Sequence, residues 1–540
     1  MLSYRKLAMR VLGHPLHTGG IDSPRPASQR AAAFILTAAM LTTLAAPAFA
    51  DIWHIENGDI TISAGESGNN VTQNNNTTYG DTNTIITNQN KDTASSNTVT
   101  IETNDKNDTV EVTLKDVNID TSSRNKAAVS VTGEGDTNIK LNGDNALKSD
   151  IYRSGIYGSG SLTISGGEND SLTAQGGSGA NGISSSGSLT ISGGTVTANG
   201  DDGGYGISSN GGVTISGGST VTANGGSGTI SGGDGICSSG GVTISGGSTV
   251  TANGGNGGSL VGGDGIRSGG GLTVSDGTVT AKGGNGDSKD GYGGDGIRSG
   301  GGVTISGNTV NAAGGYGGKV GGYGICSFDR VAISGGTVEA AGGNGSTGGG
   351  SGIYSSVIDL SGSLELTAKA GSPNGKALSQ KGSELVLDTI KDKLGPGAKV
   401  TATDANGKVN QVSSPLPVEP EGPVIPEESS SSSDGGSAAP SAPTSPLPGL
   451  TVTDKSGAVI SYTSTQSGNT LTVCVGRFTA SFRISLAALR QLRAEGIETI
   501  TFQTILCSTT LSVDELLAMG GEDAEAVLTH RFTDSSLTVG

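Results

Sequence analysis

The chain has 540 residues, of which 96 are glycine, and only 3% are aromatic. This glycine share is well over twice the usual value of roughly 7%, which favours thin, regularly packed layers over one large globular core. The formal net charge of −17 argues against nucleic acid and anionic membrane surfaces as partners, because both repel an acidic protein. Cations and neutral or cation-bridged surfaces remain open.

Residues 1–50 have the features of an export signal. Basic residues precede the apolar run 31–46, and Ala48-Phe49-Ala50 has the small residues of a cleavage site before Asp51. We therefore expect an exported chain that acts outside the cell or at a bacterial cell surface, with retention as a membrane anchor as the alternative. No later stretch is apolar over the length of a transmembrane segment, so we expect none in the mature chain.

Residues 51–150 carry irregular strand patterns, such as 59–63 and 110–114. The Asn/Thr-rich run 69–97 predicts wide loops between coils or asparagine ladders. We expect this region to form the N-terminal cap and the first irregular coils of a solenoid, since a solenoid end must cover its exposed core.

Residues 151–400 are organised by a repeat that begins with Gly-Ile. An aliphatic residue of a second short run follows each of the first seven isoleucines by eight positions, and a third run resembling Thr-Val-Thr-Ala comes next. The bridge back to the next Gly-Ile varies from nine to sixteen residues. Constant strand spacing with one variable bridge predicts a solenoid whose insertions lie along one edge. The eight isoleucines are Ile156, Ile183, Ile207, Ile236, Ile266, Ile297, Ile325 and Ile353.

Within each run the apolar residues alternate with hydroxyl residues, as in 213–216 and 220–223. This period of two points the aliphatic side chains inward and the hydroxyls outward. The prediction is a parallel β-helix, with corner glycines supplying left-handed turns. The alternative, a disordered Gly/Ser linker, would not conserve the eight-residue step over seven successive rungs.

A family resemblance rests on Asp59-Ile60-Thr61-Ile62, on the segment 139–145, and on the later Ser-Leu-Thr-Ile-Ser and Gly-Ile phrases. Over residues 52–390 the chain resembles the carbohydrate-binding, right-handed parallel β-helix surface proteins of clostridia and related Gram-positive bacteria, in the pectate-lyase-like superfamily. The resemblance implies a β-helix that binds acidic plant polysaccharide and calcium. No catalytic or calcium-ligand motif of that family matches residue by residue.

Two further regions follow the repeat. Residues 413–449 are rich in Pro, Ser and acidic residues, which predicts a linker. Residues 450–540 predict strands at 458–463, 470–475, 478–484 and 498–506, with helices at 486–495 and at 513–519, the latter capped by Ser512. The expected fold class is therefore all-β: a parallel β-helix followed by a linker and a small α+β C-terminal domain.

The four cysteines do not predict a disulfide framework. Cys237 and Cys326 occupy the same repeat position three rungs apart, about 14 Å by strand spacing. A disulfide needs Cα atoms within roughly 7 Å, so these two should not be bonded. Cys474 and Cys507 lie in the C-terminal domain and are predicted either to pair or to remain free thiols.

One column of aspartates is the candidate metal site. Asp234, Asp264 and Asp295 each stand two residues before a Gly-Ile isoleucine in consecutive rungs. Stacked carboxylates repel each other unless a cation lies between them, and Ca²⁺ prefers such oxygen ligands. The alternative is that Arg267 and Arg298, in the same rungs, neutralise the aspartates as ion pairs.

Tyrosines near the variable bridge are the candidate carbohydrate-binding residues, because aromatic rings offer faces on which sugars stack. Their alternative role is packing of the bridges against neighbouring rungs. The candidates are Tyr205, Tyr292, Tyr316, Tyr323 and Tyr354.

These patterns together predict an exported, non-catalytic, adhesin-like protein that binds polysaccharide or a cell-wall surface, with Ca²⁺ as a possible cofactor. One alternative is a polysaccharide lyase using calcium and an arginine base, or a hydrolase using two carboxylates roughly 6.5–9.5 Å apart. Another is a purely structural surface stalk. The Thr-x-Thr motif, repeated over four rungs from Thr195 to Thr280, also resembles the flat faces of ice-binding solenoids, although threonine favours strands generally.

Overall fold

The computed structural model describes residues 51–414 and, further on, residues 447–539 with gaps at 448, 455–457, 461, 468, 476, 478, 505–507, 521–523 and 532–533. The predicted export signal, most of the predicted linker, and Cys507 lie outside the described residues. The chain divides into two compact units, 1–420 and 421–540.

The first unit is a parallel β-solenoid of about 14 turns, as the repeat predicted. Each regular rung contributes three short strands, which stack on those of the next rung in three columns. The first column contains Ile60–Gly65, Val99–Thr103, Val129–Gly133, Ile156–Gly158, Ile183–Ser185, Ile207–Ser209, Ile236–Ser238, Ile266–Ser268, Ile297–Ser299, Ile325–Ile333, Ile353–Leu360 and Leu378–Gln380. Ile325–Ile333 and Ile353–Leu360 run on into the second column.

The other two columns complete the coil. The second contains Ile52–His54, Ile85–Thr87, Thr109–Lys115, Asp136–Asn142, Leu162–Ser165, Leu189–Ser192, Val213–Ser216, Val242–Ile244, Leu272–Val274 and Val303–Ile305. The third contains Asn118–Asp120, Asp144–Lys148, Ser171–Ser178, Thr195–Asp201, Thr220–Asn224, Ser248–Asn253, Gly277–Lys282, Thr309–Ala313, Gly336–Ala341, Leu364–Lys369 and Lys399–Thr403.

The register between rungs pairs each repeat position with its counterpart. Ile207 pairs with Ile236, and Val221 pairs with Val250. Their side chains are no more than 1% exposed, so identical aliphatic positions form continuous buried columns. No rung could bury its apolar face alone, and stacking supplies the core.

Both ends of the solenoid are closed by antiparallel strands. At the N-terminal end, Gly68–Gln73 and Asn76–Asp81 fold back on Ile60–Gly65. Asn74 and Asn75, with φ of 53° and 64°, form the tight turn between them. The expectation of wide loops in 69–97 was therefore wrong for this part, because the Asn-Asn pair permits a hairpin that covers the core.

The C-terminal end is closed by the hairpin of Lys399–Thr403 with Val409–Ser413. The short strand Ser383–Glu384 and the 3-10 helix Leu387–Lys393 precede this hairpin. Leu387 and Ile390 of the helix are buried against the solenoid core. A second 3-10 helix, Ile55–Asn57, buries Ile55 at the other end.

The glycine-rich bridges are ordered, and their glycines form two stacked columns. Backbone hydrogen bonds of 2.8–3.0 Å run alternately between the columns, so that Gly255 donates to Gly233 and Gly263 donates to Gly255. A Cβ on Gly263 would lie 1.9 Å from the Gly233 carbonyl oxygen. The glycines are needed here because backbones of neighbouring rungs touch. The alternating hydrogen bonds link Gly204, Gly226, Gly233, Gly255, Gly263, Gly284, Gly294, Gly315, Gly322, Gly343, Gly350 and Gly371.

The described residues of the second unit form two four-stranded sheets and two helices. One sheet contains Leu450–Thr453, Thr479–Ser485, Glu525–Arg531 and Asp534–Val539, and the other contains Thr463–Ser467, Thr470–Cys474, Thr499–Gln503 and Ser508–Ser512. The helices are α1 (Leu486–Ala494) and α2 (Val513–Met519). Ser512 caps α2 as predicted, its Oγ accepting a hydrogen bond from Glu515 N.

Two further sequence predictions concern cysteines and membrane spans. Cys237 and Cys326 are both free thiols, in register through Arg267 and Arg298, so the absence of a bond between them is confirmed. The Cys474–Cys507 pairing lies outside the described residues. None of the helices in the described part of the chain has the length and apolar character needed to cross a bilayer.

Candidate functional site

The three predicted aspartates stack in consecutive rungs just before the first-column strands. Asp234 Oδ1 accepts a hydrogen bond from Asp264 N, Asp264 Oδ1 from Asp295 N, and Asp295 Oδ1 from Tyr323 N, each at 2.7 Å. Their residues are only 2–4% exposed. Each carboxylate is thus built into the solenoid by a bond to the backbone of the following rung.

Arg267 and Arg298 neutralise this column from the outward side of the first-column strands. Arg267 Nε lies 3.1 Å from Asp264 Oδ2, and its Nη1 lies 3.7 Å from Asp234 Oδ2. Arg298 Nε lies 2.9 Å from Asp295 Oδ2 and 3.4 Å from Asp264 Oδ2. Each guanidinium therefore bridges the aspartate of its own rung and that of the preceding rung. We call these five side chains the Asp–Arg ladder.

Two of the carboxyl groups in the ladder are hard to ionise. Burial, followed by the charge of Asp264, raises the pKa of Asp234 to about 6 and that of Asp295 to about 7. The arginines act in the opposite direction. The ladder consequently takes up a proton near neutral pH, where ordinary surface carboxylates stay ionised.

The geometry fits the ion-pair alternative better than it fits calcium. One oxygen of each aspartate already accepts a backbone hydrogen bond, and the guanidiniums lie on the side where a bound cation would be needed. Among the described residues, no group of three His, Cys, Asp or Glu side chains is arranged to hold a metal ion. Calcium binding stays a prediction.

The ladder forms the floor of an open cleft with a volume of about 550 Å³. Of the predicted tyrosines, Tyr205, Tyr292 and Tyr323 line this cleft. Tyr354 does not line it but stacks on Tyr323, with ring centroids 5.0 Å apart and an interplanar angle of 18°. Tyr316 does not line this cleft, and its backbone N–H donates a 2.9 Å hydrogen bond to Asn285 Oδ1. We call the cleft above the ladder, lined by Tyr205, Tyr292 and Tyr323, the Asp–Arg cleft.

Two cations contact aromatic rings at this end of the face. Lys319 Nζ lies 5.5 Å from the centroid of the Tyr292 ring, and the Arg298 guanidinium carbon lies 5.8 Å from that of the exposed Phe328. Both distances are within the range of cation–π attraction. These contacts restrict the movement of the Lys319 and Arg298 side chains beside the cleft.

A second cleft of about 720 Å³ lies on the preceding rungs. Its floor has hydroxyl side chains, including the register partners Thr100 and Ser130, and Tyr157 and Arg153 project beside it. The side chain of Arg153 is exposed, and among the described residues it forms no salt bridge. We call this the Arg153 cleft.

The two clefts adjoin. Asn181 lines the Arg153 cleft, and its Oδ1 accepts a 2.8 Å hydrogen bond from the backbone of Tyr205, which lines the Asp–Arg cleft. Sequence reasoning missed Tyr152 and Arg153 as site residues. The available signal was an aromatic–basic pair just before the first Gly-Ile, at the position where later rungs carry their bridge.

The comparisons with known proteins give no match: no family model fits the chain, and no curated protein or solved structure is similar to it. The β-solenoid that the family resemblance implied is confirmed by the strand register. Membership of that particular family stays a prediction.

Proposed function

We propose that this protein binds polysaccharide along the outward face of the first strand column, outside the cell. The observation that carries the proposal is the pair of adjoining clefts on this face. Both combine tyrosine rings with charged and hydroxyl side chains, which suits the alternating apolar faces and hydroxyl edges of sugars. A linear polymer running parallel to the solenoid axis could contact both clefts at once.

The Arg153 cleft supports the acidic class of polymer that the family resemblance implies. Arg153 has no acidic partner among the described residues, and Lys126 shares Asp59 with Arg124. A carboxylate on a sugar would find charge-assisted hydrogen-bond donors there. Acidic plant polysaccharide is therefore the first polymer class to test.

The test is retention of the full chain on a panel of acidic and neutral polysaccharides, with calcium and with chelator. We expect Tyr157→Ala and Tyr205→Ala each to weaken binding about two- to twelvefold, since an aromatic contact contributes roughly 0.5–1.5 kcal/mol. Tyr79→Ala is the matched control, because Tyr79 is exposed on the N-terminal hairpin. No retention on any polymer would leave the structural-stalk alternative, and loss in chelator would support the calcium hypothesis.

Catalysis is the second candidate, favoured by one observation. The raised pKa values of Asp234 and Asp295, two buried carboxyl groups of one cleft, are typical of a general acid. Asp264 and Asp295 are buried and are held by the backbone of the next rung and by arginine, which argues against their contact with substrate. New reducing ends or unsaturated sugar products in the same incubations, abolished by Asp264→Asn, would establish the enzyme and contradict the non-catalytic proposal.

A further inference from the structure

The Asp–Arg ladder has one arginine fewer than it has aspartates. Asp264 and Asp295 are each followed three residues later by an arginine of the first-column strand, whereas the residue three after Asp234 is Cys237. Cys237 pairs in register with Arg267, and Arg267 pairs with Arg298. The thiol thus stands where the repeat places a guanidinium in the next two rungs.

The missing arginine leaves Asp234 with weaker contacts than the other two aspartates have. Its Oδ1 accepts the backbone hydrogen bond from Asp264, but its Oδ2 accepts none from any described residue, although its side chain is only 5% exposed. The nearest arginine nitrogen, Arg267 Nη1, lies 3.7 Å away, compared with 3.1 and 2.9 Å for the closest contacts of Asp264 and Asp295. A buried carboxylate oxygen without a donor is unfavourable unless some other group supplies one.

Neighbouring groups do not supply the missing charge. Burial and the nearby Asp234 carboxylate raise the pKa of the Cys237 thiol to about 12, so the thiol stays neutral. Tyr205 lines the same cleft as Asp234, and the face of an aromatic ring attracts a cation. The cleft therefore combines an unmatched carboxylate with an aromatic side chain at one end.

We propose that the Asp–Arg cleft binds a cationic group of its ligand beside Asp234, at the position that the next rungs fill with an arginine, and that this ligand is a saccharide with a free amino group. The inference rests on the proposed polysaccharide function and specifies one unit of the polymer. An ammonium group is compact and donates up to three hydrogen bonds, so it would contact Asp234 Oδ2 once the Cys237 side chain turns aside. A hydroxyl or N-acetyl group at that place adds no positive charge to the distant ion pair of Asp234 with Arg267.

The test uses two ligands that differ only at nitrogen: glucosamine oligosaccharides with free amino groups and their N-acetylated counterparts. Affinities for the full chain are measured by calorimetry slightly above pH 6, where more than half of the Asp234 carboxyl groups are ionised. We expect the free amine to bind about tenfold more tightly, and we expect Asp234→Asn to abolish this preference. Equal affinities for the two ligands, or an unchanged preference in Asp234→Asn, would overturn the inference.

A second variant tests the missing-arginine argument directly. Cys237→Arg supplies the guanidinium from the protein itself, so it should abolish the preference for the amine and raise the unfolding temperature. Cys237→Ser is the matched control and should keep the preference, because it adds no charge. Persistence of the preference in a folded Cys237→Arg protein would contradict the proposed position.

The polysaccharide function and the cation position can fail separately. If the N-acetylated oligosaccharide or another neutral polymer binds but the amine gives no gain, the function stands and the inference is overturned. If no saccharide binds, the function fails, and methylammonium chloride tests the cation position alone. Saturable shifts of the Tyr205 ring resonances in the wild-type chain, absent in Asp234→Asn, would support that position, and their absence would overturn it.

Discussion

The buried carboxyl groups of the Asp–Arg ladder link the stability of the solenoid to pH. In the folded chain the pKa of Asp295 is about 7, against an ordinary value of 3.8. Between these two values the folded state holds a proton that the unfolded state has released. The free energy of unfolding must therefore fall as pH rises from about 4 to about 7, and this contribution levels off above that range.

Asp295→Asn should reduce the decrease in the free energy of unfolding between about pH 4 and pH 7. One pKa unit corresponds to about 1.4 kcal/mol, so the part of the fall that Asp295 contributes is on the order of a few kcal/mol. The measurement is the urea midpoint of the solenoid at several pH values in this range. Asp290→Asn, in an exposed part of a bridge, is the control and should follow the wild-type curve. A wild-type profile in Asp295→Asn would show that Asp295 titrates normally in the folded chain.

The sequence predicted the position of the aspartates but not their bonds. Asp234, Asp264 and Asp295 each stand two residues before a Gly-Ile isoleucine, and an equal offset from the repeat means an equal position in a solenoid. Whether their oxygens face a cation or bond the next rung depends on side-chain rotamers, which spacing does not determine. Arg153 was missed for a related reason, since it precedes the first Gly-Ile at a position where the later rungs carry alanine or glycine, so no column of like residues marks it.

At the scale of the structural element, the glycines have two different roles. Gly217 and Gly218, with φ of 68° and 70°, make the left-handed corners that the sequence predicted. The bridge glycines were instead expected to lie in variable insertions along one edge. They form ordered columns because only residues without a Cβ let neighbouring backbones touch, a requirement that a count of bridge lengths does not reveal.

The two roles of glycine predict that Gly→Ala substitutions at different sites lower the free energy of unfolding by different amounts. A Cβ on Gly294 would lie 1.9 Å from the Gly263 carbonyl oxygen, and the next nearest atoms, Gly263 C and Gly262 O, are also backbone and cannot turn aside. Gly294→Ala should therefore lower the free energy of unfolding by about 3 kcal/mol or more. At Gly212 the nearest atom would be 3.4 Å away, so Gly212→Ala should change it by less than about 1 kcal/mol.

Thermal and urea unfolding of the two glycine variants are the measurements. Similar midpoints for Gly294→Ala and Gly212→Ala would mean that the bridges can separate without disturbing the strand columns. A large loss confined to Gly294→Ala would show that the glycine columns are part of the cooperative solenoid.

For the whole molecule, the packing predicts two independent unfolding units. The buried apolar residues form two separate clusters, one running through the solenoid columns and one in the C-terminal domain around Phe482 and Phe502. A repeat array unfolds through contacts between neighbouring rungs, whereas a small domain with its own core unfolds as one unit. We therefore expect two transitions in calorimetry.

Tryptophan fluorescence distinguishes the two unfolding transitions. The chain's single tryptophan, Trp53, packs against the solenoid core at the N-terminal end. Phe502→Ala should lower the stability of the C-terminal domain by about 3–5 kcal/mol and leave the tryptophan fluorescence transition in place. Ile266→Ala, in the middle of the solenoid, should shift that transition. The stacked rungs unfold cooperatively, so a loss of stability at Ile266 also lowers the stability of the rungs around Trp53.

Each variant is thus the control for the other. If Phe502→Ala also moves the tryptophan transition, the two units are energetically coupled. If Ile266→Ala moves the main calorimetric transition of the solenoid but not the fluorescence of Trp53, the solenoid unfolds in segments, and the N-terminal hairpin with its first coils is a stability unit of its own. A shift of both signals together would establish that one cooperative unit holds the two clefts in a fixed relation along the same face.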